Sequence, residues 1–115
     1  MTGGADASAC PEPPYYAVIF TSTRANEDNA GYSEMAQRMM ELAAAMPGFI
    51  GVESARNEIG ITVSYWRDLE SIKLWKRNAE HLAAQGEGRR RWYDSYRIRI
   101  ARVEKDYSFE RDANG

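Results

Sequence analysis

The sequence predicts an α+β domain of the ferredoxin-like type, with the element order β-α-β-β-α-β. Three observations carry that expectation. Residues 15–23, YYAVIFTST, are β-branched and aromatic with both alternating sets apolar, the pattern of a strand covered on both faces. Tyr32, Met35, Met39, Leu42 and Met46 recur at spacings of 3, 4, 3 and 4, one stripe of an amphipathic helix of about four turns. The runs 49–56 and 59–67 flank the short connection NEIG, which marks a hairpin.

The remaining elements follow in order. Residues 1–14, small, polar and ending in PEPP, lack the apolar surface to offset ordering and are expected to form a flexible tail. The segment RANEDNAG supplies turn and cap residues before the first helix, and Pro47-Gly48 stops it. Asp68 is a favourable N-cap for a second helix, with Glu70 in its first turn where the helix dipole favours negative charge. Leu69, Ile72, Trp75, Ala79 and Leu82 form its apolar stripe, and Gly86 and Gly88 end or kink it. RRRWYDS then leads through a short helical turn into a last strand from Tyr96 to about Lys105. The domain is thus expected over residues 15–109, with residues 110–115 a second flexible tail.

The last strand changes character partway. Tyr96, Ile98 and Ile100 share one face and Arg97 and Arg99 the other, but beyond Ile100 the apolar residues Ala101 and Val103 belong to the arginine face. Such a switch means either a bulge or a strand that leaves its own sheet to cover another surface. A four-stranded sheet with both helices on one side leaves its other side bare, although the first strand is apolar on both. A homodimer packed sheet against sheet, with residues 101–109 reaching the partner, satisfies both observations.

Composition narrows the function classes. The chain has 115 residues, 43% hydrophobic and 28% charged, with a net charge of −2, so no global field attracts nucleic acid or anionic lipid. Cys10 is the only cysteine, which excludes an intrachain disulfide and a cysteine-built metal site. No apolar run approaches the length of a membrane helix and the N-terminus has no secretory pattern, so a cytoplasmic protein is expected. One histidine and no carboxylate cluster at ligand spacing leave nothing from which to build a zinc or iron triad, and GEGRRR is not a phosphate-binding fingerprint. The run Arg89–Arg91 reads as a solvated face beside Glu80, Glu87 and Asp94.

The stretch SYWRDLESIKLWKRNAEHLAAQGEGRRRWYDSYRIRIARVE, with its strand ending in Trp66, its helix bearing Trp75 and EHLAAQ, and its WY-x-x-Y before the last strand, resembles the antibiotic biosynthesis monooxygenase superfamily. MPGFIGVES, between the first helix and the hairpin, fits the same pattern. The resemblance spans residues 15 to about 107 and implies a dimeric α+β barrel. The superfamily includes cofactor-free quinone-forming monooxygenases, heme-degrading enzymes and proteins without known activity, and fold alone does not choose among them.

Heme degradation in this superfamily uses a histidine ten residues after the helical tryptophan and an asparagine on the first strand. Here Gln85 stands ten residues after Trp75, His81 only six, and Asn26 falls beyond the first strand, so the resemblance implies no heme and no other cofactor. What it implies instead is oxidation of a small aromatic or hydroquinol-type substrate by dioxygen, with the substrate anion itself donating electrons. His81 and Trp75 are then the candidate catalytic residues, His81 as the base near neutral pH. Phe20, Tyr65, Trp66, Asn78, Gln85, Trp92 and Tyr96 are the candidate substrate-binding residues. Asn78 and Gln85 lie about one turn to either side of His81. Two alternatives stay open, heme degradation and a barrel without catalysis. Trp75 lies in the apolar stripe and His81 about 120° around the helix from it, so both residues also suit a structural role, in a non-catalytic barrel that holds a small hydrophobic ligand.

Overall fold

The structure is a computed structural model that describes residues 12–24, 29–86 and 93–111. Its elements run β1 (Tyr15–Arg24), α1 (Asn29–Ala44), β2 (Phe49–Arg56), β3 (Gly60–Trp66), α2 (Leu69–Gly86) and β4 (Tyr93–Val103). This is the β-α-β-β-α-β order expected, and the boundaries differ from the sequence reading by a few residues, as strand and helix ends do. The strands form one fully antiparallel sheet in the order β2-β3-β1-β4. β1, apolar on both alternating sets, is indeed interior, and β2 and β4 are the edges.

Register decides which residues share a face, because directly paired residues point the same way. Tyr16 pairs with Trp66 and Arg102, Val18 with Ser64 and Ile100, Phe20 with Thr62 and Ile98, and Ser22 with Gly60 and Tyr96. Tyr16 and Val18 pack on the core formed by Ala43, Trp66 and Ile72, together with Met46, Phe49 and Trp75. That set therefore faces the helices. The opposite, open face carries Tyr15, Ala17, Ile19 and Thr21 of β1, Ile61, Val63 and Tyr65 of β3, and Arg97, Arg99, Ala101 and Val103 of β4.

Among the described side chains the helices obey their stripes with one exception. Met35, Ala43 and Ile72 are buried and Met39, Leu42, Met46 and Trp75 half-buried. Leu69, expected in the apolar stripe of α2, is instead exposed. It is the first residue after Asp68, whose Oδ1 accepts the Ser71 backbone N–H at 2.8 Å and caps the helix. Gly48, between α1 and β2, has φ +85°, and a Cβ there would overlap the Ser71 side chain. Glycine is thus required twice, by backbone conformation and by close approach.

β4 settles the ambiguity at Ile100. Its pairing with β1 is regular from Ser95–Thr23 to Val103–Tyr15, and the one irregularity lies at the other end, between Thr23 and Arg24. The change of apolar face is therefore not a bulge. Ala101 and Val103 stand across from Ala17 and Tyr15 on the open face. Beyond β4 the Tyr15 hydroxyl donates to Asp106, and Tyr107 and Phe109 are 86% and 85% exposed. The short helical turn expected over RRRWYDS falls in part on residues 87–92, outside the described residues, and Tyr93 to Ser95 are already strand.

Candidate functional site

Two aromatic groups mark the helix-facing side of the sheet. At one end Trp66, fully buried, stacks on Trp75 of α2 with centroids 6.0 Å apart and planes 21° apart. Phe49 meets the Trp66 indole edge-on at 5.4 Å, and the indole N–H donates to Ser64 Oγ at 2.9 Å. This arrangement satisfies the single polar atom of a buried indole and surrounds it with apolar rings. Toward the other end Phe20 stacks on Tyr96 at 5.5 Å and 28°. Phe20 is half-buried, whereas Tyr96, Ile98 and Ile100 remain exposed. Of the candidate binding and catalytic residues, Trp66 and Trp75 thus meet in the core, and Phe20 and Tyr96 form a separate, partly exposed pair on the same side of the sheet.

Tyr65 does not join them. It neighbours Trp66 in sequence and so projects to the opposite face, because successive strand residues alternate. There it meets Tyr15 edge-on at 6.0 Å, and its hydroxyl donates to Glu53 Oε1 at 2.8 Å. Burial, reinforced by the hydrogen bond and negative charge of Glu53, pushes the Tyr65 phenol up to about 12. The Tyr65 phenol thus lies on the open face, away from Trp66 and Trp75.

On α2, Asn78 is exposed and its amide donates to the Leu74 carbonyl at 2.9 Å, a bond back onto its own helix rather than toward a neighbour. The helix carries positions 81 and 85 in its last turns, but the side chains of His81 and Gln85 are outside the described residues. So is Trp92. Among the described residues, no group of three or more His, Cys, Asp or Glu side chains converges on one point, and no helix is long and apolar enough to cross a membrane.

A residue the sequence reading passed over lies at the same end as Phe20 and Tyr96. Arg56, the last residue of β2, donates from Nη2 to Ser22 Oγ of β1 at 2.8 Å. Its register partner on the intervening strand is Gly60. Only the pairing of Arg56 with a glycine could have signalled this in the sequence, and such a pairing is invisible until the hairpin register is known.

A four-stranded antiparallel sheet with two helices in the order β-α-β-β-α-β defines the class: a small α+β protein of ferredoxin-like fold. The chain belongs to the antibiotic biosynthesis monooxygenase family, whose model matches residues 15–87. It is 50% identical over 109 residues to the uncharacterized protein YqjZ of Bacillus subtilis (strain 168), covering 93% of this chain and 95% of that one. Among solved structures it resembles PA3566 from Pseudomonas aeruginosa, with a TM-score of 0.62 and 14% identity over 84% of this chain and 99% of that one. It also resembles SnoaB, a cofactor-independent oxygenase from Streptomyces nogalater, with a TM-score of 0.61 and 10% identity over 86% of this chain and all of the other. At those identities the structural likenesses establish the fold.

Proposed function

We propose that this chain is a cytoplasmic, cofactor-independent monooxygenase-like protein that oxidises a small aromatic, hydroquinol-type substrate with dioxygen. The observation that carries the reading is the aromatic lining of the helix face, Phe20 and Tyr96 above all, in a chain of this family. The resemblance to a cofactor-independent oxygenase supports it. In the simplest case a phenol loses its proton to His81, and the electron-rich anion reduces dioxygen directly. One oxygen atom enters the ring carbon opposite the phenolate and the other leaves as water. The ring goes from phenol to quinone, a four-electron oxidation matched by the four electrons that dioxygen accepts. An apolar, aromatic pocket favours this chemistry by binding the flat ring and excluding solvent.

The reading includes a homodimer that buries the open face of the sheet. Ile61 is exposed there, and beyond β4 Tyr107 and Phe109 lie almost fully in solvent. Both features suit a second copy of the sheet.

Oxygen consumption by pure protein with a panel of hydroquinols and naphthols tests the activity, with His81→Ala as the control. Turnover that falls at least about a hundredfold in the variant is expected if His81 is the general base. No turnover of any phenol would overturn the enzymatic reading. One observation favours a second reading, a ligand-binding barrel without turnover: Trp66 and Trp75 are committed to the core stack. Binding of the same phenols without oxygen uptake would establish it.

A further inference from the structure

Residues 104–111 belong to no helix or strand, yet the start of this segment is tied to the sheet. Tyr15, the buried first residue of β1, donates its hydroxyl to Asp106. Tyr15 lies on the open face, where it meets Tyr65 edge-on at 6.0 Å and stands across from Val103. Asp106 follows Val103 closely in sequence, so the bond holds the chain on the open-face side as soon as β4 has ended. The residues delivered there, Tyr107 and Phe109, are almost fully exposed.

Area and charge both name what such a segment fits. At about 150–250 Å² for each aromatic side chain, the four rings of two copies cover roughly 700 Å². An equal area on the surfaces they meet brings the total to about 1,400 Å², within the roughly 1,200–2,000 Å² of a standard specific interface. On β4, Arg102 pairs with Glu104 at 3.2 Å. Arg97 and Arg99, exposed on the open face, have no carboxylate partner among the described residues. Glu110, directly after Phe109, is an exposed anion on the segment itself.

We propose that the Tyr15–Asp106 bond is a latch that presents Tyr107 and Phe109 to the open sheet face of a second copy of this chain, with Glu110 set against that copy's Arg97 and Arg99. The proposal rests on the homodimer reading above and assigns the residues that position its contact. Tyr15 is a positioning residue, acting on the second copy only through the segment it holds. A segment held before association has less freedom left to lose on binding. Two-fold symmetry makes the contact reciprocal, so both latches act in each dimer.

Sedimentation velocity over a concentration series of the full-length protein is the test, with circular dichroism as the check on folding. The wild type is expected to dimerise. Tyr15→Phe keeps the ring against Tyr65 but loses the hydroxyl, and should raise the dimer dissociation constant about tenfold as the freed segment must be ordered on binding. Asp106 is exposed, so Asp106→Ala removes the same bond without touching the core and should match Tyr15→Phe. Asp106→Asn keeps an oxygen that accepts from Tyr15 and should stay within about threefold of wild type. Tyr15→Phe/Asp106→Ala should be no weaker than either single variant, because the two residues act through one bond. Glu110→Lys should weaken association about threefold, and Arg97→Glu with Arg99→Glu in the same chain should restore it. Additive losses in the double variant, or a Tyr15→Phe dissociation constant equal to that of the wild type, overturn the latch and leave the homodimer standing. Failure of the charge reversal to restore association overturns the seat given to Glu110. A wild type that stays monomeric overturns the homodimer and the latch together.

Discussion

Trp66 is the residue on which the core closes, and its removal gives the sharpest energetic test of the fold. The side chain is 0% exposed, so Trp66→Ala exposes or empties all of it. About 200 Å² of mostly apolar surface at about 25 cal/mol per Å² corresponds to roughly 5 kcal/mol. A compact denatured state lowers this by roughly 10–40%. The ring contacts to Phe49 and Trp75 add about 0.5–1.5 kcal/mol each, and relaxation around the cavity returns part of the loss. The expected cost is about 3–5 kcal/mol, a large share of the roughly 5–15 kcal/mol that holds a domain of this size. Trp66→Phe keeps a ring against both partners but loses the N–H bond to Ser64, for about 1–2 kcal/mol. Urea unfolding followed by far-ultraviolet circular dichroism measures both, at one protein concentration so that association does not shift the midpoint. A Trp66→Ala cost below about 1 kcal/mol, or a Phe variant as damaged as the Ala variant, would refute the view that this indole is the keystone of the helix-to-sheet packing.

Three further outcomes are expected. Because the folded chain holds the Tyr65 proton up to about 12 while the unfolded chain releases it near 10, the contribution of this phenol is intact below about pH 10 and is lost as pH rises through 12. Tyr65→Phe should flatten that alkaline decline in unfolding midpoints, and a decline of the same slope in the variant would show that another group causes it. Replacing Tyr107 and Phe109 with serine should lower the mass at sedimentation equilibrium and leave the circular dichroism spectrum unchanged; an unaltered mass removes the tail from the proposed interface. Hemin added to the pure protein should give no stoichiometric Soret band, whereas a sharp band that disappears in His81→Ala would show that α2 presents a ligand to iron after all.

The order of elements was legible because each rests on local physics: the stripe from Met35 to Met46, the cap at Asp68, the paired runs around NEIG. The interior position of β1 was legible too, since its two apolar faces have no other explanation. What lay beyond reach depended on registers between strands. Tyr65 and Trp66 look equivalent as neighbouring aromatics, but alternation sends one to Glu53 on the open face and the other into the core. Arg56 looked like one more surface charge, because only the pairing with Gly60 shows where its side chain goes. The switch of apolar face after Ile100 could be detected in the sequence but not interpreted, for a bulge and a regular strand opposite Tyr15 and Ala17 leave the same pattern.

The free margin of β4 has a bearing on how the protein behaves at high concentration. An eleven-residue strand at the end of a sheet offers a row of main-chain donors and acceptors to any other chain, and Tyr96, Ile98 and Ile100 are the kind of residues that strengthen such adhesion. Between and beyond them stand Arg97, Arg99 and Arg102, all exposed. A second β4 laid alongside in the antiparallel sense would bring cation against cation within a few ångströms, which like charges across a ladder resist. Charged residues on such a margin disfavour edge-to-edge pairing in the registers that oppose them, a consequence separate from anything the protein binds or turns over.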